Sequence, residues 1–205
     1  MQPPSTDAPE WAKVRIELEA MHKADQSRRR EFNLMQEAAR AKGAELDKEA
    51  VAAAWKEIGR LDGSNQKRVA EIIDAHGWPK QSEVGLIASQ AAFLVVQHAD
   101  LEYQLKYLDR MRAAAVSGDL GKSYFALLED RVLIRQGKPQ RYGSQVDSKG
   151  GVGLLSVEDD ANLDSLRVGM DLEPICDYLK RFVKALGPVV YPRCAQSTPD
   201  NNPGR

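Results

Sequence analysis

Apolar residues recur along this chain at alternating steps of three and four, and this spacing restricts the folds that the chain can form. Such steps place side chains on one face of an α-helix, whereas a strand would alternate every second residue. The longest run consists of Val84, Ile87, Ala91, Leu94, His98, Leu101, Leu105 and Leu108. A stripe of this kind is normally buried against other helices, so the spacing predicts a mainly α-helical protein.

Capping residues set the limits of the remaining helices. Asp7 before Pro9 marks the start of a long first helix, because an aspartate can accept the free amides of the first turn. Gly63 is predicted to end the second helix, and HGWP at 76–79 to end a short third one. The predicted helices run from about 8 towards 43, from 51 to 61, over a short stretch before 76, and over about 84–116, 121–136 and 172–186.

The segment after Gly137 is rich in glycine and alternates around SKGG, a pattern typical of a loose hairpin. We therefore predict a compact bundle of about six helices with a small irregular hairpin near residues 140–158. A chain of 205 residues is of a suitable length for one domain, which we expect to span residues 8–187. Residues 1–7 are expected to be disordered, and residues 188–205 to form a mostly disordered tail.

The charge balance and the apolar segments exclude two classes of partner. Lys and Arg total 29 against 30 Asp and Glu, which leaves a formal charge of −1 and no field to attract a nucleic acid. The densest apolar stretch, AAFLVV at 91–96, is far shorter than the roughly 20 residues that span a bilayer. We expect neither nucleic-acid nor membrane binding.

Cys176 and Cys194 are the two cysteines of the chain, and without a C-x-x-C motif they exclude a thiolate zinc site. We expect both to be reduced, with one disulfide between them as the alternative. The start of the chain lacks the basic and apolar regions of a secretory signal. A cytoplasmic protein is therefore expected, and a secreted or periplasmic protein whose signal has been removed is the alternative.

His98 interrupts the apolar stripe and needs a partner, since an unpaired buried polar group costs about 1–3 kcal/mol. The simpler interpretation is a core histidine bonded to a carbonyl or carboxylate; the other is a general base or ligand within a pocket. Asp100 is only two residues away, a rotation of about 200° on a helix, and does not pair with it there. With three histidines in the chain and no H-E-x-x-H motif, no metal site is predicted.

Three further groups of polar residues have two interpretations each. Gln90, Gln97 and Gln104 lie seven residues apart and form either a solvated face or one wall of a polar cleft. Asp25 can pair locally with an arginine of the run at 28–30, which is otherwise a solvated charge run. The segment QRYGSQ at 140–145 combines a cation, a phenol and amides, a composition that suits recognition of a small polar group.

The order of these motifs resembles that of a bacterial family classed as a domain of unknown function, over most of residues 20–186. The motifs are ADQ-x-x-R at 24–29, D-x-x-N at 62–65, GWP at 77–79, VGLIASQAAFLVVQHAD at 84–100, DR at 130–131 and QRYGSQ at 140–145. Family members tend to carry a double arginine near the end, where this chain has Arg167 alone. The resemblance implies that mainly polar positions are shared: Asp25, Arg29, Asn65, Trp78, Gln97, His98, Asp100, Arg131, Gln140, Tyr142 and Gln145. It implies no activity and no cofactor.

Our leading hypothesis is a pocket that binds, and in its stronger form hydrolyses, a small polar or anionic molecule. The catalytic candidates are His98, Asp100, Asp25 and Arg131. The ligand-binding candidates are Gln97, Gln140, Tyr142, Gln145, Arg29 and Asn65. In this hypothesis His98 is the base, Asp25 or Asp100 assists it, and Arg131 helps to hold the ligand. The alternative is a non-enzymatic interaction module, such as an inhibitor or an immunity-type partner.

Overall fold

The structure, a computed structural model, describes residues 8–195, and the chain is mainly α-helical, as the spacing of its apolar residues predicts. The chain divides into two compact units, one up to Leu120 and one from Gly121 onwards, here called the N-terminal and C-terminal units. Residues 1–7 and 196–205, which were expected to be disordered, lie outside the described residues. Among the described helices, none is both long enough and apolar enough to cross a membrane.

From residue 8 to Leu120, the N-terminal unit contains five helices. They are α1 (Ala8–Ala41), α2 (Lys48–His76), α3 (Gln81–Val84), α4 (Leu86–His98) and α5 (Leu101–Ser117). Helix α1 packs along α4 and α2, and α2 also contacts α4. The core between them contains Leu18 of α1, Ile73 of α2 and Val96 of α4, each with none of its surface exposed. Helices α1, α2 and α4 therefore share one apolar core.

The second and third predicted helices are in fact one continuous helix, α2, so the predicted break at Gly63 is wrong. A glycine inside a helix costs only about 1 kcal/mol relative to alanine. Ile58 before it and Val69 and Ile72 after it are all buried on this helix, and burial of each such side chain contributes about 1.5–3 kcal/mol. Packing on both sides thus outweighs the local preference. The predicted stop at HGWP is confirmed: Gly77, with φ of 83°, caps α2.

The long central helix predicted over 84–116 is interrupted twice. Gly85, with φ of 83°, separates α3 from α4, and an extended Ala99–Asp100 step separates α4 from α5. The Asp100 carboxylate accepts the Tyr103 N–H and so caps α5, as an aspartate does more readily than it continues a helix. His98 is consequently the last residue of α4, and not the middle of a helix.

The buried face of these helices also differs from the predicted stripe. Ile87 and Leu105 of the stripe are 52% and 43% exposed, whereas Gln97 and Gln104 are buried. Helix α4 is apolar around most of its circumference, so periodicity alone could not select its buried face. The Gln104 side-chain amide donates to the Gln97 carbonyl oxygen at 2.9 Å, which satisfies one polar group within the core.

The C-terminal unit combines short helices with a hairpin. Its elements are α6 (Lys122–Arg135), β1 (Val146–Asp147), β2 (Gly153–Leu154), α7 (Leu163–Gly169), α8 (Ile175–Lys180), α9 (Val183–Leu186) and α10 (Pro192–Ala195). The two strands are antiparallel, with Val146 opposite Leu154, which confirms the predicted hairpin. A small core of Val152, Leu163, Ile175 and Leu179 lies beneath it.

The last predicted helix, over 172–186, is two helices, α8 and α9. The extended Pro174 precedes the first turn of α8, and Leu172 and Glu173 lie outside it. The chain from 188 to 195, predicted as part of the tail, is structured. The Val152 N–H donates to the Pro188 carbonyl and the Val190 N–H to the Val152 carbonyl, so this segment pairs with the chain beside β2.

Cys176 of α8 and Cys194 of α10 form a disulfide, and the expectation of two reduced cysteines is wrong. The spacing of the cysteines could not reveal the bond, because it depends on α10, which was assigned to the tail. The disulfide closes a loop of chain that contains the segment paired beside β2. It therefore holds the end of the described chain against the small core of the C-terminal unit.

Cys194→Ser should lower the free energy of unfolding by about 3 kcal/mol, because a cross-link over 18 residues restricts the unfolded chain by roughly that amount. Chemical denaturation with and without a reductant measures this difference. Reductant should destabilise the wild-type protein to the level of the variant and leave the variant unchanged. Equal stability of the wild-type protein in both conditions would show that the bond contributes nothing.

Candidate functional site

Four polar side chains from three helices meet in the N-terminal unit. Asp25 and Arg29 lie one turn apart on α1, Asp62 lies on α2, and His98 ends α4. We call these four residues the polar cluster. Because α1 packs along both α2 and α4, the core of the unit itself brings the four side chains together.

Arg29 links the two carboxylates. Its Nε donates to Asp25 Oδ1 at 2.7 Å, and its Nη2 donates to Asp62 Oδ1 and Oδ2 at 2.8 and 3.0 Å. The second oxygen of Asp25 accepts a hydrogen bond from the Gln26 amide at 2.7 Å. His98 Nδ1 lies 3.7 Å from Asp25 Oδ1, close enough for an ion pair but longer than a direct hydrogen bond.

Asp25 is ionised at neutral pH. Burial, which leaves it 8% exposed, would by itself raise its pKa, but His98 and Arg29 beside it favour the charged form and lower its pKa to about 2. About a fifth of each of the Arg29, Asp62 and His98 side chains remains exposed. The polar cluster is thus half-buried, with its most buried member a carboxylate.

The charges of the polar cluster do not cancel. Two carboxylates face one guanidinium, so the sum is −1 whenever His98 is neutral. Both Nε and Nη2 of Arg29 are already bonded to carboxylates, and the guanidinium is therefore engaged within the cluster. The excess negative charge favours a proton, a cation or a neutral polar group over an anion.

One ligand atom from each of Asp25, Asp62 and His98 lies within 4.8 Å of the others, and these residues could together hold a metal ion. No metal site was predicted from the sequence, because its three histidines form no metal-binding motif and Asp62 was not among the candidates. The available signal was the first residue of the D-x-x-N motif.

The other candidates of the N-terminal unit lie within three residues of Asp62 or His98 in the sequence. Their structural roles differ. Asn65 is buried one turn after Asp62 on α2, and Gln97 is buried next to His98 on α4. Asp100, predicted to assist His98, caps α5 and is exposed. The carboxylate that faces His98 is that of Asp25.

In the C-terminal unit, the Gln140 side chain stabilises the 140–145 loop through hydrogen bonds to its backbone. It is fully buried, and its side-chain amide donates to the carbonyls of Gln145 and Leu155, both at 2.9 Å. Its Oε1 accepts the Gln145 N–H at 2.8 Å. These contacts occupy the polar atoms that were expected to bind a ligand.

Tyr142 and the rest of this loop are built around Asp130 of α6, which has none of its surface exposed. Its carboxylate accepts the backbone N–H groups of Arg141, Tyr142 and Ser144 at 2.8–3.3 Å. Burial raises the pKa of the Tyr142 phenol. Arg131, the next residue on α6, is half-buried.

Arg167, which stands alone where the resembled family tends to have two arginines, is fully buried. Its Nε donates to the Glu173 carbonyl and its Nη1 to the Tyr142 carbonyl, each at 2.6 Å, and its guanidinium lies 4.8 Å from the centre of the Tyr178 ring. Burial lowers its pKa. It connects α7 to the 140–145 loop, a structural role that the sequence did not predict.

Asp25→Asn should make the free energy of unfolding less dependent on pH in the acid range. The pKa of Asp25 is depressed from 3.8 to about 2, which corresponds to about 2 kcal/mol of stability that is present above pH 4 and lost as the pH falls towards 2. Denaturant unfolding between pH 7 and pH 2 measures the slope. Asp109→Asn, at a 96% exposed side chain of α5, is the control and should keep the wild-type slope. An unchanged slope in Asp25→Asn would contradict the assignment.

Asp130→Asn should destabilise the C-terminal unit by about 3 kcal/mol, because the amide nitrogen of asparagine cannot accept the backbone N–H groups that the carboxylate accepts. Hydrogen exchange of the amides of Arg141, Tyr142 and Ser144 should accelerate together. Asp177→Asn, at an exposed position of α8, is the matched control. If both variants exchange these amides at the same rate, the loop does not depend on Asp130.

The comparisons with known proteins agree with the resemblance noted from the motifs. The sequence model of one family, described as a family of unknown function (DUF6624), matches residues 12–190. No curated protein and no solved structure matches the chain. The match covers both units and all four residues of the polar cluster, and the chain therefore belongs to this family of unknown function.

Proposed function

We propose that the protein binds a small polar molecule at the polar cluster and hydrolyses it, with Asp25 and His98 activating a water molecule. The observation that carries this proposal is the ionised, buried Asp25 carboxylate 3.7 Å from Nδ1 of a partly exposed histidine. A buried carboxylate beside an imidazole of this kind is a frequent feature of catalytic sites.

The chemistry follows from the two different nitrogens of the ring. Asp25 faces Nδ1, and a carboxylate there favours the tautomer with its proton on Nδ1. Nε2 then carries the lone pair and can accept a proton from water. Because about a fifth of the His98 side chain is exposed, the ring keeps access to solvent, which supports the role of a base more than that of a sealed core residue.

Arg29 is a positioning residue in this proposal. It holds Asp25 in place and fixes it relative to Asp62. Because these bonds engage its Nε and Nη2 within the cluster, we assign it no contact with the ligand. Because the cluster carries a charge of −1 with neutral His98, a neutral or cationic molecule fits better than an anionic one. The buried amides of Asn65 and Gln97 are the nearest candidates in sequence for ligand contacts.

A second candidate function, binding to another protein, is favoured by one surface feature. Trp55 of α2 is 52% exposed, and its ring packs edge-on against Phe32 of α1 at 5.0 Å. Phe32 also lines a groove of about 270 Å³ between the two helices. Exposed aromatic side chains of this kind are common at protein interfaces, although the groove does not include the polar cluster.

His98→Gln should abolish the stabilisation of the protein by its ligand and leave the fold intact. A thermal-shift screen with neutral, cationic and anionic metabolites identifies compounds that raise the midpoint of wild-type unfolding. His76→Gln, at an exposed position at the end of α2, is the control and should respond as the wild-type protein does. Mass spectrometry of the incubated compounds then detects hydrolysis.

The proposal fails if every stabilising compound acts equally on wild-type protein and on His98→Gln. It also fails if Trp55→Ala, which lies outside the polar cluster, removes the stabilisation while His98→Gln retains it. That second result would instead indicate that the compound binds near Trp55, beside the groove between α1 and α2.

A further inference from the structure

The polar cluster contains a set of metal-ligand atoms drawn from three separate helices. Asp25 comes from α1, Asp62 from α2 and His98 from α4, and one ligand atom of each lies within 4.8 Å of the others. Ligands held tetrahedrally by one ion at about 2.0–2.2 Å are separated by about 3.4 Å. Side-chain rotations that move the ligand atoms by about an ångström would therefore bring the three atoms around a common centre.

The charge and burial of these residues supply an independent reason for a cation at this position. The protein already places one positive group, the Arg29 guanidinium, between the two carboxylates. Within the polar cluster, one negative charge is still uncompensated when His98 is neutral, and Asp25 is buried. Half-buried carboxylates in excess over cations are normally paired or coordinated to a metal.

We propose that Asp25, Asp62 and His98 bind a single divalent metal ion of the first transition row. Two carboxylates and one imidazole, without thiolates, form a donor set that suits Zn²⁺ or Mn²⁺. Three protein ligands leave at least one coordination position for water, as in catalytic metal sites and unlike closed structural ones. Nothing in the sequence pattern of histidines indicated this site, because two of the three ligands are carboxylates.

Arg29 competes with the ion in this arrangement. Its Nε is bonded to the same Asp25 oxygen that lies nearest His98, and its Nη2 to both oxygens of Asp62. Removing the guanidinium changes the charge of the three ligands and their surroundings from −1 to −2. The metal should therefore bind more tightly to Arg29→Gln than to the wild-type protein, which a purely structural role for the cluster would not predict.

This inference rests on the proposed function, because both involve Asp25 and His98. It differs in the group that would activate water, which is a bound ion in place of the imidazole. A bound divalent ion lowers the pKa of its coordinated water towards neutrality. His98 would then serve as a ligand, and Asp25 as a ligand in place of a tautomer-fixing partner. The binding of a small polar molecule beside the ion is unaffected by this change.

Isothermal titration calorimetry of the 205-residue chain, stripped with a chelator and titrated separately with Zn²⁺ and Mn²⁺, tests the site. We expect one ion per chain, weakened roughly tenfold or more in Asp62→Asn and in His98→Gln, and tightened in Arg29→Gln. His76→Gln and Asp109→Asn, both at exposed positions, are the matched controls for the two ligand types. Unfolding curves identify any variant that fails to fold. If either Asp62→Asn or His98→Gln does not fold, the other still tests the site.

Absence of saturable binding of both ions to the wild-type protein would overturn the inference, as would equal binding by wild-type protein, Asp62→Asn and His98→Gln. The proposed function is tested separately by the metabolite screen on chelator-stripped protein. Ligand stabilisation that depends on His98 without metal binding would retain that function and reject the ion. Metal binding without any His98-dependent ligand would retain the ion and reject the function.

Discussion

The polar cluster depends on the Arg29 guanidinium, which holds its two carboxylates together inside the N-terminal unit. Two carboxylates from different helices lie close together in a half-buried position, where the like charges repel each other and burial removes part of their hydration. Arg29 offsets both effects with short bonds to Asp25 and Asp62. With the carboxylates fixed in this way, the end of α4 can place His98 against Asp25, and the polar cluster becomes part of the packing of α1, α2 and α4.

The break between α4 and α5 is the second requirement, and it shows why the position of His98 matters. A continuous helix over 84–116 would carry the chain past His98, with the imidazole inside an apolar stripe. Asp100 instead ends that helix by capping the next one, so His98 lies at a helix terminus. The same aspartate that looked like a catalytic partner from the sequence therefore acts through the backbone, and the partner of the imidazole comes from α1.

Much of the helical architecture could be predicted, because it depends on local signals. The limits of α1 and α6, the cap at Gly77 and the small hairpin follow from apolar spacing and from glycine and proline positions. The continuity of α2 through Gly63, the buried face of α4 and the disulfide could not be predicted, since each depends on contacts between residues far apart in sequence. Asp62 was missed for the same reason: its importance arises from Arg29 on another helix, and no local pattern contains both.

Residue composition does not distinguish the polar residues around the 140–145 loop from those of the polar cluster. Their hydrogen bonds and charges do distinguish them. In the C-terminal unit, the Asp130 carboxylate accepts three backbone N–H groups, and Gln140 uses both its amide and its carbonyl within the same loop. Such groups specify a loop conformation, because their hydrogen-bonding capacity is used inside the protein. The polar cluster of the N-terminal unit is different, since its bonds are short yet its charges leave one negative charge in excess when His98 is neutral. A half-buried group with unmet charge needs a further partner, and this surplus is the physical basis of the site that we propose at Asp25, Asp62 and His98.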